Sequence, residues 1–320
     1  MKKVWIDTDP GVDDTFAISM LFEAKDQIDV IGFSTIFGNA DVDQTTINTK
    51  VLLEAAGKQK LPVAKGAYYP LYVPLDTSPH VHGENGMGDM PLPEPTMKEY
   101  DVSAPQAIID AIYADPHEVT LLLIGPLTNA AIALLLEPNI VNYVKDVVIM
   151  GGAVRCPGNI TPVAEANFFH DPHAAQIVLR ANWPITLVPL DVCDGGMVPQ
   201  AALEKICSAD KPLAPYIAGS LPFFQKFLEQ YNIFEKVDFP DALAAAYLLE
   251  PEIFTVERSR VFVETEGSCQ GQSVEVPRSQ WYQDASEKRT FDADQSTGLM
   301  DVLFGVDTDK FNELILNLLV

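Results

Sequence analysis

The 320-residue sequence has few positive charges, since 21 Lys and Arg residues stand against 45 Asp and Glu residues. The formal net charge of −24 repels nucleic-acid backbones and anionic lipid surfaces. We therefore expect neither a nucleic acid nor a membrane as a partner. Most of the acids serve solubility under this interpretation, because net charge reports on solubility and association rather than on fold.

Cysteine is also scarce, with four residues and no C-x-x-C spacing: Cys156, Cys193, Cys207 and Cys269. Scattered thiols in a chain of this length favour a reducing compartment over a disulfide framework. Asp7 interrupts the N-terminus before the apolar region of a signal peptide could form. No apolar run approaches the roughly 18–20 residues that span a bilayer. The sequence therefore predicts a cytoplasmic protein.

Linker-like segments are missing too, because the sequence contains no repeat, low-complexity tract or long charge run. Hydrophobic residues make up 48% of the chain, which is enough for one large core. We therefore expect a single domain over residues 1–320.

Short β-branched segments alternate with segments of helical periodicity. This pattern is typical of a mostly parallel sheet flanked by helices. Strands are predicted at 4–6, 29–37, 119–124, 147–150 and 185–190. Helices are predicted around residues 16–24, up to Glu54, from Ser103, over 128–137, in the region 200–250 and over 310–319. The fold class is therefore α/β, with a doubly wound, Rossmann-like sheet.

Ligands of doubly wound sheets bind outside the carboxyl ends of the strands. Asp7, Asp9, Asn39, Ile124 and the Gly151-Gly152 turn all fall at predicted strand ends. We expect them to converge. The segment 82–88 contains three glycines, which favours a mobile loop that could act as a lid.

Four aspartates lie within eight residues where the first strand leads into a helix: Asp7, Asp9, Asp13 and Asp14. Each one alone could simply cap the helix. Together they repel, by about 4 kcal/mol for two unit charges ~4 Å apart at an effective dielectric of 20, whereas a cap contributes only about 0.5–2 kcal/mol. A divalent cation would reverse this balance. The ligands are hard oxygens, which favours Ca²⁺ or Mg²⁺ over zinc.

Residues 7–14 resemble the D-x-D-P-G-x-D-D signature of the inosine–uridine nucleoside hydrolase family. Further segments are similar to motifs of that family in the same order. They are Gly38-Asn39, the loop 82–88, residues 125–129, residues 150–152, Gly158-Asn159, residues 165–167 and Asp171-Pro172. The resemblance is clear from residue 4 to about 190 and looser to Val320. It implies the nucleoside hydrolase fold and Ca²⁺-dependent hydrolysis of ribonucleosides to ribose and free base, as part of purine and pyrimidine salvage.

The resemblance also implies roles for individual residues. The Ca²⁺ ligands would be Asp9, Asp14, the main-chain carbonyl of Ile124, and Asp241. The ribose would be held by Asp13, Asn39, Asn159, Glu165 and Asn167, with Met150 packed beside it. The chemistry of the reaction makes Asp9 the candidate general base that deprotonates a metal-bound water. The resemblance does not place Asp7, which we interpret as a supporting or capping acid. Family members are commonly oligomers, which implies a homodimer or homotetramer.

Pro240 departs from the family pattern, in which a histidine before the late metal-binding aspartate, here Asp241, protonates the leaving base. General acid catalysis typically contributes about 10²–10⁴-fold, so the loss of the histidine would be large unless something compensates. One interpretation is that His82, Tyr231 or Glu235 contacts or protonates the base. Another is that the base stacks on aromatic side chains, for which Phe223, Phe224, Tyr231 and Phe239 are candidates. The last is a substrate with an easier leaving group.

Two other functions remain compatible with the sequence. Asp7-x-Asp9 also resembles the nucleophile and general acid of the haloacid-dehalogenase phosphatases. The other alternative is a catalytically weak or inactive Ca²⁺-dependent nucleoside or pentose binder that has lost turnover through Pro240.

Overall fold

The computed structural model describes residues 1–98, 100–230, 236–276 and 298–320. Its strands are β1 (Lys2–Thr8), β2 (Ile28–Thr35), β3 (Val63–Lys65), β4 (Val119–Leu123), β5 (Asp146–Met150), β6 (Ile185–Val188), β7 (Met197–Pro199), β8 (Lys236–Asp238), β9 (Phe254–Val263), β10 (Ser273–Glu275) and β11 (Leu299–Val306). All five predicted strands are present, with ends that differ by up to two residues.

The main sheet of the described residues has nine strands in the order β10-β9-β11-β6-β5-β4-β1-β2-β3. The strands from β6 to β3 are parallel, and β11 joins them in parallel beside β6. β9 and β10 extend this edge in antiparallel pairing. The chain runs outward in both directions from β1 and β4, so the predicted doubly wound, mostly parallel α/β fold is confirmed.

The helices are α1 (Val12–Glu23), α2 (Val42–Ala55), α3 (Pro79–His82), α4 (Ala104–Ala114), α5 (Thr128–Leu136), α6 (Ala166–His170), α7 (Pro172–Arg180), α8 (Gln200–Cys207), α9 (Ala214–Glu229), α10 (Pro240–Leu249) and α11 (Thr308–Leu319). Within the described ranges, none of them is long and apolar enough to cross a lipid bilayer.

Apolar side chains cover both faces of the sheet, as a parallel sheet requires. On one face Phe16 of α1 and Leu243 of α10 are fully buried in one apolar cluster. On the other face Ile108 of α4 and Val178 of α7 belong to a second cluster. Because every residue of β4 is buried, the middle of the sheet is a rigid platform for the loops at its carboxyl edge.

Candidate active site

The carboxyl ends of β1 and β4 lie side by side where the winding of the sheet reverses. The Ile124 N–H donates to the Asp7 carbonyl at 2.9 Å, and the Ile36 N–H donates to the Thr8 carbonyl at 3.1 Å. These bonds continue the pairing past the strand ends. They bring the segments after β1, β2 and β4 together, as expected for the ligand crevice of a doubly wound sheet.

Three carboxylates from distant parts of the chain meet above this edge. Asp13 and Asp14 are in the first turn of α1, and Asp241 is in the first turn of α10. One oxygen from each side chain lies within 4.8 Å of the other two. The two helices pack against each other, so the convergence is a property of the tertiary structure.

Asp9 lies in the turn between β1 and α1 and is 3% exposed. Its Oδ2 accepts a hydrogen bond from the Asn39 N–H at 2.8 Å. The Asn39 side-chain amide donates to the Asp9 carbonyl at 3.0 Å and to Asp14 Oδ2 at 3.1 Å. A Cβ at Gly125 would lie 2.5 Å from Asp9 Oδ1, so the close approach of the β4 loop requires glycine. Asn39 therefore joins Asp9 to the carboxylate cluster.

Burial and mutual repulsion make the carboxylates resist ionisation. Burial raises the pKa of Asp14 to about 6, with a further contribution from the charge of Asp13. Burial also raises the pKa of Asp13 to about 6. The pKa values of Asp9 and Asp241 are raised well above the ordinary value, first by burial and then by neighbouring carboxylates. A nearby positive charge would relieve this cost.

The donor set fits a hard divalent cation. Carboxylate oxygens are the preferred ligands of Ca²⁺ and Mg²⁺. Asp13 Oδ1 is buried and has no hydrogen-bond partner among the described residues, although the rest of that side chain is partly exposed. Burying a carboxylate oxygen without a partner costs free energy unless a cation lies next to it. Asp13 is therefore as well placed to approach such a cation as Asp14 and Asp241.

The predicted carbonyl ligand, Ile124, lies beside two of the predicted ribose contacts. The Asn167 side-chain amide donates to the Ile124 carbonyl and to the Met150 carbonyl, each at 3.2 Å, and approaches Met150 Sδ at 3.3 Å. Asn167 and Met150 are both buried. These three residues therefore form one wall of the crevice.

Glu165 and Asn159 are held by backbone N–H groups at the start of α6. Glu165 Oε1 accepts from the Asn167 N–H at 2.8 Å, while Oε2 accepts from Gly152 at 2.8 Å and Phe168 at 3.1 Å. Burial raises the pKa of Glu165. Asn159 is exposed, and its Oδ1 accepts from the Ala166 N–H at 3.0 Å. Glu165 is thus fixed deep in the structure, whereas Asn159 is at the rim.

Asp7 lies below the cluster, fully buried. Its Oδ1 accepts hydrogen bonds from the Ser34 hydroxyl and from the Asn129 side-chain amide, the latter at 2.8 Å. Burial raises the pKa of Asp7 to about 7. Asn129 also donates to the Thr35 carbonyl at 3.0 Å. Asp7 therefore ties β1, β2 and α5 together, and its supporting role stays a prediction.

Sequence reasoning missed two of the side chains that hold the acids in place. The Thr8 hydroxyl donates to Asp14 Oδ1 at 2.5 Å, and Asn129 holds Asp7. Asn129 had a signal, because it ends the Gly125–Asn129 motif. Thr8 had none, because a threonine inside an acidic run is equally typical of an ordinary strand end.

His82 is 8% exposed and packs parallel to the Phe224 ring, with centroids 5.8 Å apart. Its Nδ1 has no hydrogen-bond partner among the described residues, and a Cβ at Gly11 would lie 2.8 Å from it. Burial lowers the pKa of His82 to about 4. His82 therefore sits next to the turn that carries the aspartates, as a neutral ring at neutral pH.

The aromatic candidates are mostly part of the core. Phe239 is fully buried and stacks on Phe16 at 4.5 Å, and Phe224 is 8% exposed. Phe223 is partly exposed. Pro240 is the first residue of α10, directly before Asp241. Tyr231 and Glu235, the other leaving-group candidates, lie outside the described residues.

Comparison with known proteins gives a consistent result. The model of the family described as inosine-uridine preferring nucleoside hydrolase matches residues 4–313. The inosine-uridine preferring nucleoside hydrolase of Leishmania major is 36% identical over 270 residues, which are 83% of this chain and 85% of that protein. The solved structure of a plant nucleoside hydrolase, the PpNRh1 enzyme, has a TM-score of 0.92 at 28% identity and covers 99% of this chain and 98% of its own. The purine-preferring ribonucleoside hydrolase from Gardnerella vaginalis gives 0.88 at 28% identity, with the same coverage.

Proposed function

The chain belongs to the inosine–uridine preferring nucleoside hydrolase family, and we propose that it uses Ca²⁺ to hydrolyse the N-glycosidic bond of ribonucleosides. It is a nucleoside hydrolase rather than a haloacid-dehalogenase phosphatase, since the family match covers residues 4–313. The observation that carries the calcium proposal is the meeting of Asp13, Asp14 and Asp241 within 4.8 Å. Three carboxylates so close together, with one buried oxygen unpaired among the described residues, favour a divalent cation between them.

Asp9, Asp14, Asp241 and the Ile124 carbonyl would hold the ion, with Asp13 facing both the ion and the sugar. When bound, Ca²⁺ supplies positive charge that can hold sugar hydroxyls and a water together. A carboxylate-lined pocket suits a reaction in which positive charge grows on the ribose ring.

Asp9 is the general base of the proposed reaction. It accepts a proton from the attacking water while the oxygen of that water bonds to the anomeric carbon. The bond from that carbon to the base nitrogen breaks, and its electron pair leaves with the base. Asn39 orients Asp9 by donating to its Oδ2 at 2.8 Å. A base must be held in one geometry to act efficiently, and this bond supplies that constraint.

Asn39, Asn159, Glu165 and Asn167 would bind the ribose hydroxyls, beside Met150. Asn167 offers its side-chain amide at the wall formed with Ile124 and Met150. Sites built to hydrogen-bond a hydroxyl reject sugars that lack it, because buried polar groups are then left unpaired.

The residue before Asp241 departs from the family pattern at the place where the leaving base is protonated. Pro240 has no proton to donate, whereas His82 lies beside the turn that carries the aspartates, since a Cβ at Gly11 would be 2.8 Å from its Nδ1. The relatives act on different bases by name, from inosine–uridine to purine-preferring. A substrate panel therefore has to include both purine and pyrimidine ribonucleosides.

The test is base release from a ribonucleoside panel, measured by chromatography with Ca²⁺ and after treatment with a chelator. We expect release of free base that the chelator abolishes and added Ca²⁺ restores. Turnover that survives complete metal removal would contradict the calcium proposal. Binding of nucleosides without base release would instead support the nucleoside-binder alternative.

We propose a homodimer or homotetramer that acts in cytoplasmic nucleoside salvage. Sedimentation analysis of the purified chain tests the assembly, because a single species of monomer mass would contradict it.

A further inference from the structure

The loop between β5 and α6, residues 151–165, connects the candidate ribose contacts. Met150 precedes it, Asn159 lies within it and Glu165 ends it. Apart from a single bridge at Ala164, it has no regular structure. Such a loop needs external partners to hold a fixed shape, because its backbone groups have no ladder of their own.

Those partners come largely from the antiparallel edge of the sheet. The Ala153 N–H donates to the Ser273 hydroxyl at 3.2 Å, and Ala164 bridges to Gln272. Nearer the sheet, the Val154 and Arg155 N–H groups donate to the Asp191 carboxylate at 2.8 and 2.6 Å. Both ends of the loop therefore rest on residues at or beside β10.

Arg155 makes the most extensive of these connections. Its Nε and Nη2 donate to Glu275 of β10, each at 2.8 Å, and its Nη1 and Nη2 donate to Glu257 of β9 at 3.2 and 2.9 Å. The guanidinium carbon lies 3.6 Å from the centroid of the Phe304 ring of β11. The Arg155 side chain of the 151–165 loop thus contacts β9, β10 and β11.

The geometry gives this contact more weight than an ordinary surface ion pair. Arg155 is 43% exposed, so each pair alone would contribute little. Two paired carboxylates and a stacked ring, however, fix the planar guanidinium in one orientation. A lysine could not reproduce the fork or the stacking. β9 also contributes buried side chains to the core, among them Val261 and Val263, so the strand that Arg155 contacts is itself firmly held.

We propose that Arg155 is a positioning residue for ribose recognition, holding the 151–165 loop against β9, β10 and β11. This inference rests on the proposed function, in which Asn159, Glu165 and Asn167 bind the sugar. Arg155 does not touch the sugar itself. Its loss is expected to weaken binding of the ribose while the reacting groups on α1 and α10 keep their places.

The experiment compares Arg155→Met with Arg155→Lys and with Arg258→Met in the full chain. Arg258 is a matched control, because it lies on β9 and pairs with Asp301 at the surface. D-ribose binding is measured by calorimetry in the presence of Ca²⁺, and KM and kcat are measured with uridine and inosine. Thermal melting of each variant reports whether the fold is intact.

We expect Arg155→Met to raise both KM and the Kd of D-ribose by roughly tenfold while kcat changes by less than about threefold. Arg155→Lys should fall between the wild type and Arg155→Met, and Arg258→Met should stay within about twofold of the wild type. Adding Glu275→Gln to Arg155→Met should raise the Kd of D-ribose little further, because the contact with Arg155 is already lost and an amide oxygen can still accept from the Ser259 hydroxyl.

The inference is overturned if Arg155→Met and Arg258→Met have the same ribose Kd and KM. It is also overturned if Arg155→Met lowers kcat and leaves KM unchanged. A wild-type protein that releases no base would refute the proposed function, and the ribose titration would then still decide the role of Arg155. A wild-type protein that binds no D-ribose overturns this inference directly.

Discussion

Pro240 stands directly before a candidate metal ligand but has no group that could donate a proton. Its neighbour Asp241 points into the carboxylate cluster, while the proline begins α10, where its missing N–H costs nothing. Proline is therefore favourable for the helix at this position but takes no part in proton transfer. Any proton for the leaving base must come from another group.

We predict that Pro240→His changes the order of preference among bases more than the affinity for ribose. A histidine here would offer a proton donor beside Asp241 without altering Asn39 or Asn167. The measurement is kcat/KM over purine and pyrimidine ribonucleosides, alongside the inhibition constant of ribose. An unaltered base profile would mean that the leaving group is handled elsewhere.

His170 is expected to make the free energy of unfolding depend on pH. It is 3% exposed at the end of α6, and neither ring nitrogen has a hydrogen-bond partner among the described residues. Burial lowers its pKa to about 4, a shift that the charge of Asp76 opposes. Because the unfolded chain takes up the proton first, stability present above pH 6.5 is lost as the pH falls toward 4.

We predict that His170→Phe reduces this acid sensitivity. The wild type should lose about 3 kcal/mol between pH 6.5 and 4 through this residue, because one pKa unit corresponds to about 1.36 kcal/mol. Urea unfolding at several pH values measures the difference. Gln106→Ala, an exposed and non-titrating position on α4, is the control and should retain the wild-type slope. Parallel curves for His170→Phe and the wild type would contradict the prediction.

At the scale of elements, the loop 82–88 differs from a simple flexible lid. Its three glycines adopt positive φ angles of 80° at Gly83, 74° at Gly86 and 64° at Gly88. Asn85 accepts hydrogen bonds from the Met87 and Asp89 N–H groups at 2.9 and 3.0 Å. The glycines thus serve defined turns and close packing. Mobility of the loop stays a prediction.

We predict that Gly88→Ala destabilises the protein more than Gly57→Ala. Both glycines have positive φ, which costs an alanine about 1–2 kcal/mol. A Cβ at Gly88 would also lie 2.6 Å from the Ser220 carbonyl oxygen, whereas a Cβ at Gly57 meets nothing within 4 Å. Packing strain adds about 1–3 kcal/mol at Gly88. Equal free energies of unfolding for the two variants would contradict the prediction, because the loop would then accommodate the Cβ without strain.

At the scale of the whole molecule, negative charge is the dominant electrostatic feature. The net charge is −24, and buried carboxylates concentrate part of it at one edge of the sheet. Asp9 lies in the turn before α1, Asp14 in α1 and Asp241 in α10, so the repulsion of Asp241 from the other two acts between α10 and the start of α1. A bound cation would therefore stabilise the tertiary structure as well as the site.

We predict that Ca²⁺ raises the melting temperature of the wild type and not that of Asp14→Ala. Ligand at a hundredfold excess over its Kd adds about 2.7 kcal/mol of stability. The variant should also lose bound Ca²⁺ and turnover. Scanning calorimetry with Ca²⁺ and with chelator measures the shift, and Asp110→Ala, an exposed acid on α4, is the control. A full Ca²⁺ shift in Asp14→Ala would remove Asp14 from the ligand set.

The sequence by itself determined the α/β fold and the place of the crevice. The β-branched strands, and the turn residues that end them, show which residues lie at the carboxyl edge of the sheet. This is possible because the order of strands along the chain restricts their order in a doubly wound sheet. The strand pattern alone is enough to place Asp9, Asn39 and Ile124 at that edge. The family was likewise visible in the ordered motifs.

The tertiary structure decided the rest. Asp241 meets Asp13 and Asp14 because α10 packs on α1, and no local pattern encodes a contact across more than two hundred residues. Tertiary packing leaves Glu165 buried and bound by backbone N–H groups, and leaves Asn159 exposed at the rim. Packing also places Arg155, an ordinary loop arginine in the sequence, against three strands. Local propensity acts within a few residues, whereas these contacts depend on which faces the apolar core brings together.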